Sequence, residues 1–426
     1  MNFSQKLKLI FNDEGLRNKI LFVLVALVLF RFLANVPIPG VDPSRLAALL
    51  DSSAGGFLNF LNIFSGGGLS TMSIVMLGVG PYITASIIMQ LLGMMSKRIK
   101  EMKTEQGEAG QRKLSQYARM LSVPLAALQG FGLMKLLESQ GVLPQLTLSD
   151  LTTNLIIIIA GSVFLMWIGE LISEYGIGNG VSLVIFAGII SALPGQAYTL
   201  YQNALLDPSQ IPVILAFVLI AIIVIYAIVY ITEAERLVPI QYAKQSRGGK
   251  GASTVNSYLP LRLNQAGVIP IIFALSIVIF PQMIAGFLAT SANESVVGVA
   301  NSINAFLANP WYYGSIYFVL VILFTYFYTA VTFEPKQVAE RLQKGGAFVP
   351  GIRPGNQTEE YLGDIVSKIT LVGAVFLGVV AVLPVIIQGL TGYQALAVGG
   401  TGILIVVSVI TDLIKKIDAQ VTMREY

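Results

Sequence analysis

Few residues in this chain are of types that do chemistry. Cysteine and histidine are both absent, which removes thiolate nucleophiles, imidazole acid–base catalysis and the usual zinc ligands. Two glycine runs, GVG at Gly78–Gly80 and GIGNG at Gly176–Gly180, invite a phosphate-loop reading. Neither has the Lys and Ser/Thr or the strand-then-helix context that such a loop needs, and glycines among apolar runs ordinarily let helices approach closely. Ionisable side chains at mid-membrane depth would indicate ion or proton coupling, because a charge there is costly and is kept for function. Arg31, Lys135, Glu170 and Asp412 instead fall near the ends of apolar stretches. What remains for the middle is aliphatic or neutral polar. Val79 and Ile83 are four apart, and Val181 and Ile185 repeat the spacing, so each pair shares a helix face. Stripes of this kind are ordinarily helix packing; the lining of a passage is the alternative.

The elements that position these residues follow from composition. The chain has 426 residues, of which 55% are hydrophobic and 12% charged, with a mean hydropathy of +0.74. A soluble domain carries about twice that share of charge, so an integral membrane protein is expected. Apolar runs of about 20 residues are long enough to cross a hydrocarbon core about 30 Å thick. Ten candidates start near Ile20, Ser73, Gln116, Thr153, Val181, Ile211, Ala266, Tyr312, Ile365 and Ala395. Helices satisfy their backbone hydrogen bonds internally, which favours a helical bundle over a barrel. No short apolar stretch with a small-residue cleavage site opens the chain, so the first span is expected to be retained.

Basic residues set the orientation, because inner loops collect Lys and Arg. They cluster at both ends and after the second, sixth and eighth spans, whereas the outer connections show only Arg45. Both termini are therefore expected on the cytoplasmic side. The net charge of +4 is spread over separate loops and does not suggest nucleic-acid binding.

Ten spans divide into two halves, 1–205 and 206–426, at the proline-bearing LLDPSQIP. Five spans per half give opposite topologies, so inverted pseudo-symmetry is expected from span count alone. Two inner loops, 233–264 and 334–364, are longer than a helix connection needs and are expected to dock a partner. Ahead of the second span, NIFSGGGLST at Asn62–Thr71 is breakable, since each Gly costs a helix roughly 1 kcal/mol relative to Ala. The helix is expected to resume after Ser73, with Gly78, Gly80 and Pro81 kinking or re-initiating it.

Five stretches together resemble the SecY family, the central subunit of the bacterial protein-conducting channel: NIFSGGGLSTMSIVMLGVGPYITASIIMQLL, YGIGNGVSLVIFAGI, LPLRLNQAGVIPIIFALSI, GAFVPGIRPGNQTEEYL and GGTGILIVVSVITD. The resemblance runs from the first span to the tenth in the family's order. It implies an all-α membrane fold of ten helices in two inverted halves, with a short re-entrant plug helix at about 57–71. The plug would comprise Phe57, Phe60, Phe64, Ser65, Gly66, Gly67, Gly68, Leu69 and Ser70. It implies a pore ring of Val79, Ile83, Val181, Ile185, Ile272 and Ile405, whose apolar constriction dewets against ions yet seals around a passing peptide. Val79 and Val181 stand where the family often has Ile, which implies a slightly wider ring. Gln90 and Asn264 match polar positions of a lateral gate between spans 2 and 3 and spans 7 and 8, where an interhelical hydrogen bond of about 1 kcal/mol would favour closure.

The same resemblance implies docking of the SecA motor or a ribosome on the long inner loops, through Lys244, Arg247, Lys250 and Arg353. SecE and SecG are the implied membrane partners, signal-sequence-bearing precursors the cargo, and the bacterial plasma membrane the location. No cofactor, metal or enzymatic activity is implied, and the driving energy would come from outside the chain. A secondary transporter of small solutes fits the topology but lacks mid-membrane charge. A scaffold without a pore would make the glycine-rich segment incidental.

Overall fold

The computed structural model describes residues 12–39, 62, 65–96, 98–99, 101–102, 107–139, 141–144, 147–208, 211–242, 255–288, 293–391 and 394–425. Among them, ten long helices correspond to the ten expected spans: α1 Glu14–Leu33, α2 Gly80–Met95, α3 Gly107–Ser139, α4 Leu148–Tyr175, α5 Gly180–Leu206, α6 Ile211–Glu233, α7 Ile269–Leu288, α9 Pro310–Thr332, α11 Asn356–Thr391 and α12 Gln394–Glu425. Local chemistry sets several starts. Asp13, Thr147 and Asn309 cap α1, α4 and α9 by accepting from backbone N–H groups. Pro310 and Pro81 stand in the first turns of α9 and α2, where a missing N–H breaks no helical bond.

Two further helices among the described residues have no counterpart in the sequence expectation. α8, Glu294–Ala308, lies between α7 and α9, and α10, Pro335–Lys344, follows α9. Within this mainly helical fold, the two long loops carry a small sheet. Strand β1, Glu235–Tyr242, pairs antiparallel with β2, Val255–Arg262, and with the short β3, Ala347–Phe348, in the order β2-β1-β3. The two long loops are thus joined. Val238, Ile240, Leu261 and Ala347 bury against Leu362, Ile365, Val366 and Ile369 of α11, so this sheet is seated on the end of a span. Apolar burial, worth about 25 cal/mol per Å², holds it there.

The main core draws chiefly on α1, α2, α4, α5, α7, α9, α11 and α12. Glycines permit the tightest crossings. At Gly180 a side chain would run into the Gly169 carbonyl oxygen and Ile172 of α4, so GIGNG is a close-packing and turn element, with Gly178 at φ +97°.

A candidate aliphatic constriction and its seal

The six expected ring residues come from four segments. Val79 and Ile83 sit at the start of α2, Val181 and Ile185 at the start of α5, Ile272 in α7 and Ile405 in α12. All six belong to or pack against one apolar cluster. Val79 is 0% exposed, Ile185 1%, Ile405 2%, Ile272 7% and Ile83 9%, while Val181 is half-buried. Among the ten long helices, α2 and α7 are the second and seventh and α5 and α12 the fifth and tenth.

The segment ahead of α2 differs in detail from the expectation. Helix does not resume at Ser73; residues 65–79 are almost wholly turns and α2 begins only at Gly80. Left-handed backbone at Gly66, Gly67, Met72 and Gly78 and Pro81 in the first turn account for this late start. Phe57, Phe60 and Phe64 lie outside the described residues.

The described part folds back and is fixed at both ends. Asn62 Oδ1 accepts from Ser70 N at 2.8 Å, Gly67 N donates to Asn62 O at 2.8 Å, and Leu69 N donates to Ser65 Oγ at 3.0 Å. The turn is thus a closed unit. Its outer anchor is a bridge between Pro37 and Ser73, in which Ile38 N donates to Met72 O at 2.8 Å, backed by Thr71 Oγ1 donating to Ala34 O at 2.7 Å. Its inner anchor is Arg31 of α1, whose Nη1 donates to Gly66 O at 2.6 Å, with Ser191 Oγ of α5 at 3.4 Å from the same oxygen. Gly66 has no room for a side chain, because Phe30 and Gly188 press on it. Ser65 and Leu69 are fully buried. Sequence reasoning marks Arg31 only as a charge near a span end and misses this latch.

The other isolated charges are likewise satisfied. Glu170 pairs with Arg119 at 2.5 Å, Lys135 with Glu138 at 2.7 Å and Asp412 with Lys416 at 2.7 Å. No group of three or more potential metal ligands occurs among the described residues.

Around the expected gate residues, α3 and α2 both pack on α7. Asn264 is 7% exposed, yet its Nδ2 donates to Gly267 O at 3.3 Å within its own turn, and its Oδ1 has no partner among the described residues. No hydrogen bond joins it to Gln90, which is half-buried on α2; the expected interhelical bond is not formed. Gln129 Nε2 of α3 donates to Thr84 Oγ1 of α2 at 3.4 Å, so that polar contact lies inside one half.

Of the docking residues, Arg353 is exposed on a turn held by Thr358 Oγ1 donating to Arg353 O at 3.0 Å, between Gly351 and Gly355 with φ of +83° and +102°. Lys244, Arg247 and Lys250 lie outside the described residues.

The SecY family model matches residues 73–414. The chain belongs to the SecY family. It is 40% identical to the protein translocase subunit SecY of Corynebacterium glutamicum, covering 98% of this chain and 97% of that one. It is 38% identical to the SecY subunit of Pseudomonas aeruginosa, covering 95% and 91%. Among solved structures, a protein-conducting channel superposes with a TM-score of 0.68 at 20% identity over 95% of this chain and 92% of that one. Sec61 of a canine ribosome-channel complex from the endoplasmic reticulum gives 0.65 at 20%, over 95% and 92%. At these identities the likeness to solved structures establishes the fold, a helical bundle of the SecY type.

Proposed function

We propose that the chain is a passive protein-conducting channel whose constriction is the aliphatic ring Val79, Ile83, Val181, Ile185, Ile272 and Ile405. The observation that carries this reading is the convergence of those six residues, from four separate helices, in or against one apolar cluster. Such a ring blocks ions by dewetting while making no hydrogen bond that a passing chain would have to match. The SecY relatives are named protein translocase subunits, which favours this reading over a small-solute transporter.

On this reading the halves 1–205 and 206–426 are inverted repeats, and residues 57–71 form the plug that occupies the passage until a polypeptide arrives. Signal sequences and membrane segments leave sideways between α2/α3 and α7/α9, past Gln90 and Asn264. The sheet-borne loops, with Arg353 at a tight turn and Lys244, Arg247 and Lys250, receive the SecA motor or a ribosome, because the Arg fork suits carboxylate or phosphate. SecE and SecG are the membrane partners. The basic-loop pattern supports both termini lying on the cytoplasmic side of a bacterial plasma membrane.

The absence of cysteine makes a direct test possible. A single Cys at Ile83, in membranes with SecE, SecA and ATP, is expected to form a disulfide with a Cys in a precursor jammed by a folded domain. The crosslink should require both SecA and the signal sequence. Equal crosslinking from lipid-facing positions, or none from Ile83 while transport proceeds, would overturn the ring.

A further inference from the structure

A cavity of about 450 Å³ lies where α9 gives way to α10, walled by the end of α9, the start of α10 and the first turns of α11. Its chemistry is unlike that of the basic loops around it. Two carboxylates, Glu334 and Glu359, and one ammonium, Lys336, line it, and none of the three is in an ion pair among the described residues. Glu334 accepts only the neutral amide of Gln337, so its charge is unbalanced. Deeper in, Thr329 and Thr370 are 5% and 4% exposed. Both residues line the cavity, and their hydroxyls have no hydrogen-bond partner among the described residues. Neither hydroxyl is sealed from solvent, so each is a free donor and acceptor for a polar molecule in the cavity.

The mouth of the cavity continues onto apolar surface. Ser367 at its rim is followed one turn later on α11 by Leu371, 51% exposed, and Tyr326 is preceded on α9 by Leu323, 54% exposed. A molecule filling the polar end therefore has its other end against hydrocarbon. We infer that this cavity binds the headgroup of a zwitterionic phospholipid with a primary ammonium, a phosphatidylethanolamine, with an acyl chain along Leu323 and Leu371. The ammonium carries three N–H donors, enough for Glu334, Glu359 and a Thr hydroxyl, while Lys336 faces the phosphate. A trimethylammonium headgroup has no donor to give. An anionic headgroup would meet two carboxylates against one ammonium, a net repulsion. The site does not depend on what passes through the channel.

The test uses the full chain in phosphatidylcholine nanodiscs containing a trace of photoreactive phosphatidylethanolamine, with labelled peptides mapped by mass spectrometry. Label is expected on the facing segments of α9 and α11, competed by phosphatidylethanolamine but not by phosphatidylcholine or phosphatidylglycerol. It should fall about threefold or more in Glu334→Gln/Glu359→Gln and also in Thr370→Val, with labelling elsewhere on the chain unchanged as the sign of an intact fold. Should the double variant fail to fold, each Gln substitution alone gives the same direction. Equal competition by the three lipids, or labelling indifferent to every substitution, overturns the site. Competition by soluble glycerophosphoethanolamine at matching concentration would assign it to a free headgroup compound and overturn the lipid.

Discussion

Replacing Arg31 by Gln should loosen the folded-back turn without unfolding the bundle. The guanidinium donates to Gly66 O at 2.6 Å, and the other described donor near that oxygen, Ser191 Oγ at 3.4 Å, has its better bond to Gly188 O at 2.7 Å. A bond from a charged donor is worth about 1.5–3 kcal/mol when buried. Arg31 is largely exposed, so solvent screening reduces this to about 1 kcal/mol, a roughly fivefold shift between seated and unseated turns. The outer anchor at Thr71 and the Pro37–Ser73 bridge is untouched, so only the inner end is freed. Ser65 is 0% exposed and adjoins Gly66, so a Ser65→Cys reporter in this cysteine-free chain reads unseating directly. Its labelling rate by a membrane-impermeant maleimide should rise about fivefold in Arg31→Gln and less in Arg31→Lys. A Leu362→Cys control, buried at 0% beneath the sheet, should not change. An unchanged rate at Ser65→Cys, or an equal rise at the control, would refute the latch.

Gly66→Ala should act on the same equilibrium more strongly, since its φ of +70° costs a side-chain-bearing residue about 1–2 kcal/mol and its Cβ meets Phe30. The Ser65→Cys labelling rate is expected to rise about tenfold or more, and no rise would show that the turn repacks. Ile185→Asn puts an amide into the ring, leaving it about 1–3 kcal/mol short of partners unless water enters; ion flux through reconstituted channels should increase, whereas Ile156→Asn, at an exposed position on α4, should leave it at the parent level. Gly180→Ala drives a methyl into the Gly169 carbonyl and is expected to destabilise by about 3 kcal/mol, visible as lower thermal stability in detergent; parent-like stability would mean that the α4–α5 crossing can open.

Ten spans, the orientation signal and the positions of the aliphatic pairs are properties of local composition and helical spacing, so they are legible in the residues themselves. Hydropathy and the 3.6-residue period depend only on near neighbours, and Val79 with Ile83 or Val181 with Ile185 announce a shared face without saying what that face meets. That Ile272 and Ile405 join them is implied by family resemblance, and their meeting is a matter of tertiary packing between halves. The sheet escapes a sequence reading because β1 and β3, at Glu235–Tyr242 and Ala347–Phe348, are roughly 100 residues apart along the chain, and a two-residue strand has no periodicity of its own. The Arg31 latch escapes for a related reason: its acceptor is a backbone carbonyl, which every residue possesses, so no residue type marks Gly66 as the partner. Gln90 and Asn264 show the converse, since the family resemblance implies a bond between them and the geometry gives Asn264 to Gly267 instead. Sequence alone determined which segments enter the membrane and that their middles carry little charge. Only the tertiary structure decided which backbone groups the polar side chains reach, because long-range hydrogen bonds are selected by where packing leaves an unpaired group.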